Sequence, residues 1–238
     1  MSYSYGKSIV TDGLVFYVDA GNEDSYPGSG GTWSDLIGGN DGSFNNMDDV
    51  NNPSGNYDSG NGGSIVFDGV NDYVEAGPIQ PAQFTLSCWF KSTGPPSNND
   101  SIGGALMVSD PQFVSNALPW FIAHSYLDQK IILIIESNTE TVSTASNSAS
   151  NDQVHFVSAT YDGTVGSIYL NGQFVTSAVA SNPTYNTSGN INVQIGRWGY
   201  SSFQRHLNGN IYNASIYNRA LSASEVLQNY NALKNRFI

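Results

Sequence analysis

Cysteine, charge and long apolar runs are all scarce in this chain of 238 residues. Cys88 is the single cysteine, which excludes an intrachain disulfide and any multi-cysteine zinc site. Charged residues make up 12% of the chain, about half the usual share, and only 8 residues are Lys or Arg. The net charge is −12, and it is unevenly placed. Residues 1–119 carry 14 acids against Lys7 and Lys91, whereas residues 120–238 carry 6 of each sign. No basic face is available for phosphates, so nucleic-acid binding is excluded and an anionic membrane surface is disfavoured. The longest apolar run, IILII at residues 131–135, is far too short to span a bilayer. The opening MSYSYGKSIVTDGLVFYVDAG lacks a charged region followed by an apolar one, so no secretory signal is expected.

Asn, Ser and Gly take the place of the missing charges, which suits many loops. A chain of this length fits one large all-β domain, which buries roughly 70–75% of its unfolded surface without needing a staple. Alternation of apolar and polar residues over short stretches predicts strands. In FTLSCWFKS, Phe84, Leu86, Cys88 and Phe90 share one face, and Thr85, Ser87, Trp89 and Lys91 the other. In QVHFVSATYDG, Val154, Phe156 and Ser158 oppose His155, Val157 and Ala159. In SIYLNGQFV, Asn171-Gly172 predicts a type I′ hairpin turn. Further strands are expected at LVFYV, SIVFDG, DYVEA, GALMVS, PWFIAHS, KIILIIE, INVQIG and GNIYNASIYN. A dozen or so such strands imply an antiparallel sandwich or barrel.

The end of the chain reads differently. Ser222 as N-cap with Glu225 at N3 forms a capping box, and Leu221 with Val226 a hydrophobic staple. Val226, Leu227, Tyr230, Leu233 and Phe237 then follow helical spacing, with Lys234 and Arg236 at the end where the dipole favours cations. This helix is expected to lie on the outer face of a sheet.

FDGVNDYVEAG, FTLSCWFKS, VHFVSATYDGTVGSIYLNGQFV, VQIGRWG and LNGNIYNASIYNRALSASEV occur in an order and spacing that resemble the laminin-G-like branch of the concanavalin A-like lectin/glucanase superfamily. The resemblance covers roughly residues 13–230. It implies an all-β, two-sheet antiparallel jelly-roll sandwich, here with a short C-terminal α-helix. Recognition loops are then expected at one rim or on the concave face. Residues 12–238 form this domain in the expected organisation, preceded by an N-terminal docking arm at residues 1–11. The opening block GLVFYVDAGNEDSYPGSGGTWSDLIGGNDGSFNN is similar to openings found in virion-associated proteins of tailed bacteriophages.

Catalytic patterns are sparse. A glycosidase needs two carboxylates about 5–9.5 Å apart. Glucanase relatives supply them from one alternating Glu-x-Asp-x-x-Glu run, which this chain lacks. Glu136 and Glu140 straddle an expected turn instead. His124, His155 and His206 lie on separate elements, and no Ser sits in a G-x-S-x-G turn. Cys88 reads as a small core residue. No metal ligands are assigned and no cofactor is expected, a structural calcium being the one ion left open. Asp19, Asn22, Glu23, Asp24, Asp68 and Asp72 could donate oxygens to it. Relatives carry acids in the last strand where Tyr212 and Asn213 stand here, which counts against it. Asp and Asn are also turn formers, a reading that suits Asp68 and Asp72 in FDGVNDY. The one stretch dense in recognition chemistry is GRWGYSSFQRH, with Arg197, Trp198, Tyr200, Phe203, Arg205 and His206. Aromatic faces stack on sugars and Arg donates to hydroxyls or carboxylates, while the same residues also suit packing or a subunit interface.

The leading expectation is a non-catalytic virion structural protein of a tailed phage, displayed on the particle as a capsid-decoration or accessory subunit, with weak glycan binding. A fold of a type displayed outside cells, on a chain with no signal, disulfide or anchor, motivates it. Such a protein is assembled in the host cytoplasm and resides in the virion. Its partners would be the capsid, neighbouring virion subunits, cell-surface glycans and further copies of itself. A second reading is a glycan-binding adhesin or tail-associated receptor-binding module, and a third is a glycoside hydrolase.

Overall fold

The computed structural model describes residues 8–47, 56–95, 104–109, 120–135, 141–180, 192–200 and 203–237, with Gly199, Tyr200 and Phe203 described by their backbone alone. The first strands are β1 (Leu14–Asp19), β2 (Thr32–Trp33), β3 (Gly42–Asn45), β4 (Tyr57–Asp58), β5 (Ser64–Asp68) and β6 (Tyr73–Pro78). Next come β7 (Phe84–Gly94), β8 (Gly104–Ser109), β9 (Trp120–Ser125), β10 (Lys130–Ile134), β11 (Val142–Ser143) and β12 (His155–Tyr161). The series closes with β13 (Val165–Leu170), β14 (Gln173–Val179), β15 (Asn192–Ile195), β16 (Arg197–Tyr200), β17 (Phe203–His206), β18 (Asn208–Tyr217) and the helix α1 (Ala223–Leu233).

Two antiparallel eight-stranded sheets form the expected sandwich, followed by the helix. The first sheet runs β14-β13-β12-β7-β18-β5-β4, and β1 also pairs with β18. The length of β18 explains that branch. Its start pairs with β5 (Asn208 with Asp68) and its end with β1 (Asn213 with Asp19), while β7 runs along its other edge. The second sheet runs β11-β10-β9-β8-β15-β6-β3-β2. Phe16, Trp33, Phe67, Phe84, Phe90 and Trp120 fill the space between the sheets.

Alternation placed the side chains correctly. Phe84, Leu86, Cys88 and Phe90 of β7 face the core, whereas Trp89 joins a separate aromatic cluster on the outer face. Val157 and Ala159 point inward, and Phe156 and Val154 outward. Burial pushes the Cys88 thiol well above its ordinary range, which suits a core residue. Asn171 and Gly172 both take positive φ, 50° and 78°, as a type I′ turn requires. A Cβ on Gly172 would come within 2.9 Å of the Tyr230 ring, so the turn tucks tightly under the helix.

The helix closes the outer face of the first sheet. The Ser222 hydroxyl accepts from the Glu225 N–H, and the Glu225 carboxylate accepts from the Ser222 N–H at 2.8 Å, which completes the capping box. Arg219 holds that carboxylate at 2.6 Å. Tyr230 stacks on Trp89 at 5.5 Å and Phe237 on the same ring at 4.3 Å. Leu227 departs from the expected stripe and faces solvent. Beyond the helix, Arg236 forks onto Asp19 with hydrogen bonds of 2.9 and 2.7 Å and ties the chain's end to β1. The part of the expected arm within the described residues is held by this helix. The Val10 N–H donates to Asn229 and its carbonyl accepts from the Tyr217 hydroxyl. Residues 1–7 lie outside the described residues.

Candidate functional site

The outer face of the second sheet is built differently. At the end of β15 the chain leaves the sheet at Gly196 (φ +83°), where any Cβ would collide with the Phe67 ring. It makes the β16–β17 hairpin and re-enters the core at Leu207, whose N–H donates to the Gly196 carbonyl at 2.8 Å. GRWGYSSFQRH, dense in recognition chemistry, is a short antiparallel ribbon with Arg197 opposite His206, Trp198 opposite Arg205 and Tyr200 opposite Phe203. Its Ser-Ser link carries no hairpin signal of the Asn-Gly kind, so nothing local marked it.

The hairpin lies against β8. Trp198 sits half-buried on an apolar patch of Ala105, Val108, Phe121, Ala123, Ile132 and Ile134. The Arg205 guanidinium lies over the Trp198 ring at 4.2 Å, and only 7% of Arg205 is exposed. Arg197 lies over Tyr73 at 4.5 Å, and its buried Nε–H has no hydrogen-bond acceptor among the described residues. Four of the anticipated side chains thus belong to two separate groupings: Trp198 with Arg205 on the apolar patch, and Arg197 with His206 toward β6. His206 contacts the Asp72 carbonyl through Nδ1 and Gln204 through Nε2, and burial lowers its pKa. Tyr200 and Phe203 pair through their backbones at the far end of the ribbon.

Strand register exposes a row that the sequence reading missed. Ile134, Phe121, Val108, Gln194, Glu75 and Ser43 stand opposite one another across six strands, a span of about 24 Å at the usual strand spacing. Half of the row is apolar and lies in the Trp198 patch; the other half is polar. The Glu75 carboxylate accepts from the Asn192 amide through one oxygen and the Gln194 amide through the other, both at 3.1 Å. Gln194 is 3% exposed, yet its amide oxygen has no hydrogen-bond donor among the described residues. A buried acceptor without a donor costs about 1–3 kcal/mol. Such a group calls for an ordered water, an ion or a functional role. The retrievable signal was alternation: Glu75 in DYVEA and Gln194 in NVQI both occupy the non-core phase of their strands.

The remaining candidates have structural surroundings. Asp19 accepts from the Tyr17 hydroxyl, the Gly21 N–H and Arg236, so a cation there would compete with a guanidinium. Asp68 caps its own turn by accepting from the Val70 and Asn71 N–H groups, and Asp72 accepts from the Asp68 N–H. No group of three His, Cys, Asp or Glu fit to hold a metal occurs among the described residues. Tyr212 packs edge-on against Phe237 at 4.9 Å. His124 and His155 contact consecutive carbonyls of one loop, Ala149 at 2.8 Å and Ser150 at 2.9 Å. Burial lowers the pKa of both, His124 to about 4. Glu136 and Glu140 lie outside the described residues.

Comparisons with known proteins agree with this architecture. Domain 4 of AbnA, an extracellular arabinanase from Geobacillus stearothermophilus solved with arabinotriose, superposes with a TM-score of 0.65 at 18% identity, covering 91% of this chain and 98% of that domain. The Trypanosoma rangeli sialidase in complex with sialic acid superposes with a TM-score of 0.66 at 17% identity, covering 96% of this chain but only 34% of the sialidase. The receptor-binding domain of botulinum neurotoxin type G gives 0.58 at 13% identity, covering 92% of this chain and 51% of that one. At these identities the likeness is one of fold. No curated protein matches the sequence. The laminin G model of the concanavalin A-like lectin/glucanases superfamily matches residues 67–227, and the chain belongs to that superfamily.

Proposed function

We propose that this chain is a non-catalytic recognition module that binds glycans on the polar half of the second sheet's outer face. The observation that carries this reading is Glu75, fixed between the Asn192 and Gln194 amides in a row that ends on exposed Ser43. Vicinal sugar hydroxyls both donate and accept, and a rigid carboxylate–amide array presents both roles. Arg197 over Tyr73 adds donors and an aromatic surface at the same edge. Glu75 is the only acid in that register row. A lone carboxylate supports binding over hydrolysis, which in its usual form needs a pair. The arabinanase domain solved with arabinotriose lends the reading fold-level support.

Glycan-array and whole-cell binding of the purified chain test it. Glu75→Ala and Arg197→Ala should each weaken binding by about tenfold or more while leaving the melting temperature within a few degrees. Unchanged binding in both variants, or no binding by the parent chain, removes the reading.

The setting we propose is the surface of a tailed-phage particle, as a capsid-decoration or related accessory subunit. Its support is the likeness of residues 13–46 to openings of phage virion-associated proteins. Mass spectrometry of purified virions tests the setting separately: absence from particles removes it without touching the glycan assignment.

A further inference from the structure

Among the described residues, the first sheet ends on β14, with no strand paired beyond it. Phe174 is 56% exposed, Val175 40% and Val179 69%. The helix α1 lies beside this strand. Edge strands are ordinarily protected by charge, proline or a covering element, because their free N–H and C=O groups template further pairing. Gln173–Val179 carries no charged residue and no proline. One bulge, where the register with β13 shifts between Ile168 and Tyr169, leaves Thr176 to Val179 as the regular part of the edge.

We propose that β14 pairs antiparallel with β14 of a second copy of this chain, about a two-fold axis that sets Ser177 opposite its own counterpart. Thr176 of one copy then stands opposite Ala178 of the other. The first sheets of two molecules become one continuous sheet of sixteen strands. Charge identifies the occupant. A two-fold contact brings each surface against itself, so any charge near the axis meets its own sign. On a chain of net charge −12, residues 163–196 contain no charged residue at all. This segment includes the whole of β14 and is the longest charge-free stretch in the sequence. A self-contact here avoids the repulsion that the acidic remainder would impose. A partner of opposite charge would instead be matched by the acidic first half of the chain.

Sedimentation velocity of the full chain, from micromolar to hundreds of micromolar, should show a reversible dimer. Val179→Lys places two cations at the paired edge and should weaken the dimer by about tenfold or more. Val70→Lys, at a residue 56% exposed on another loop, should leave the dimer unchanged. Ser177→Cys should crosslink two copies on mild oxidation, with buried Cys88 not competing. A chain that stays monomeric throughout, a dimer that Val179→Lys leaves intact, or a Ser177→Cys chain that forms no crosslinked dimer overturns the proposal.

Discussion

Each sheet of this sandwich carries a lid on its outer face, and the two lids are made of different contacts. The helix lid lays Tyr230 and Phe237 on Trp89, ring on ring, and is latched by Arg236 on Asp19. The hairpin lid lays Arg205 on Trp198 and Arg197 on Tyr73, guanidinium on ring. Among the described residues, Gln194 Oε1 and Arg197 Nε beside the hairpin have no hydrogen-bond partner, and neither has Trp89 Nε1 under the helix. Orphaned groups therefore do not separate the lids; exposure does. The Trp89 indole is fully buried, whereas Trp198 is half-buried and the hairpin adjoins half-buried Glu75, on which the proposed glycan site rests.

The largest expected effect tests that contrast directly. Trp89→Ala should cost about 3–5 kcal/mol in denaturant unfolding, because a fully buried indole and two stacked rings lose their contacts. Trp198→Ala, at a half-buried position, should cost less than half as much; equal costs would make both lids scaffold. Next, Arg236→Met leaves the Asp19 carboxylate buried without its cation. Removing one partner of a buried pair costs about 3–5 kcal/mol, and the guanidinium, with about a quarter of its side chain exposed, places the expectation near the lower end.

Acid should separate the regions by pH. The His124 pKa falls from 6.5 to about 4 through burial, so the unfolded chain takes up the proton first. Its contribution is complete above pH 6.5 and is lost as the pH falls toward 4, by about 3 kcal/mol in total. Glu225 has its pKa lowered from 4.5 to about 2, chiefly by Arg219, so the helix lid's contribution is lost only below pH 4.5. A stability profile flat from pH 7 to 4 would contradict the first half of this sequence of events. The smallest effect is Ser222→Ala, which removes the helix cap and should cost about 1 kcal/mol without altering glycan binding.

Legibility in the sequence followed the same division. The capping box, the Asn171-Gly172 turn and the two phases of β7 are local signals, and the chain alone displayed them. Arg197, Trp198 and Arg205 were visible as a cluster because they are neighbours in sequence. Glu75, Asn192 and Gln194 were not, since 117 and 119 residues separate Glu75 from its amide partners and sheet register alone unites them. The hairpin itself stayed hidden because its four-residue strands are too short to display a period. Leu227 misled for the opposite reason: helical spacing put it in the apolar stripe, but in the fold it is exposed.

The pinch at Gly196 and Leu207 makes the hairpin a self-closed excursion from the sandwich. Both ends of the hairpin meet at one backbone hydrogen bond, and the chain resumes its core path immediately afterwards. The ten residues between can lengthen, shorten or change sequence without shifting the register of β15 or β18. A change in this segment reaches the sandwich through the packed side chains of Arg197, Trp198, Arg205 and His206, so variation that spares those four leaves the scaffold's described contacts in place.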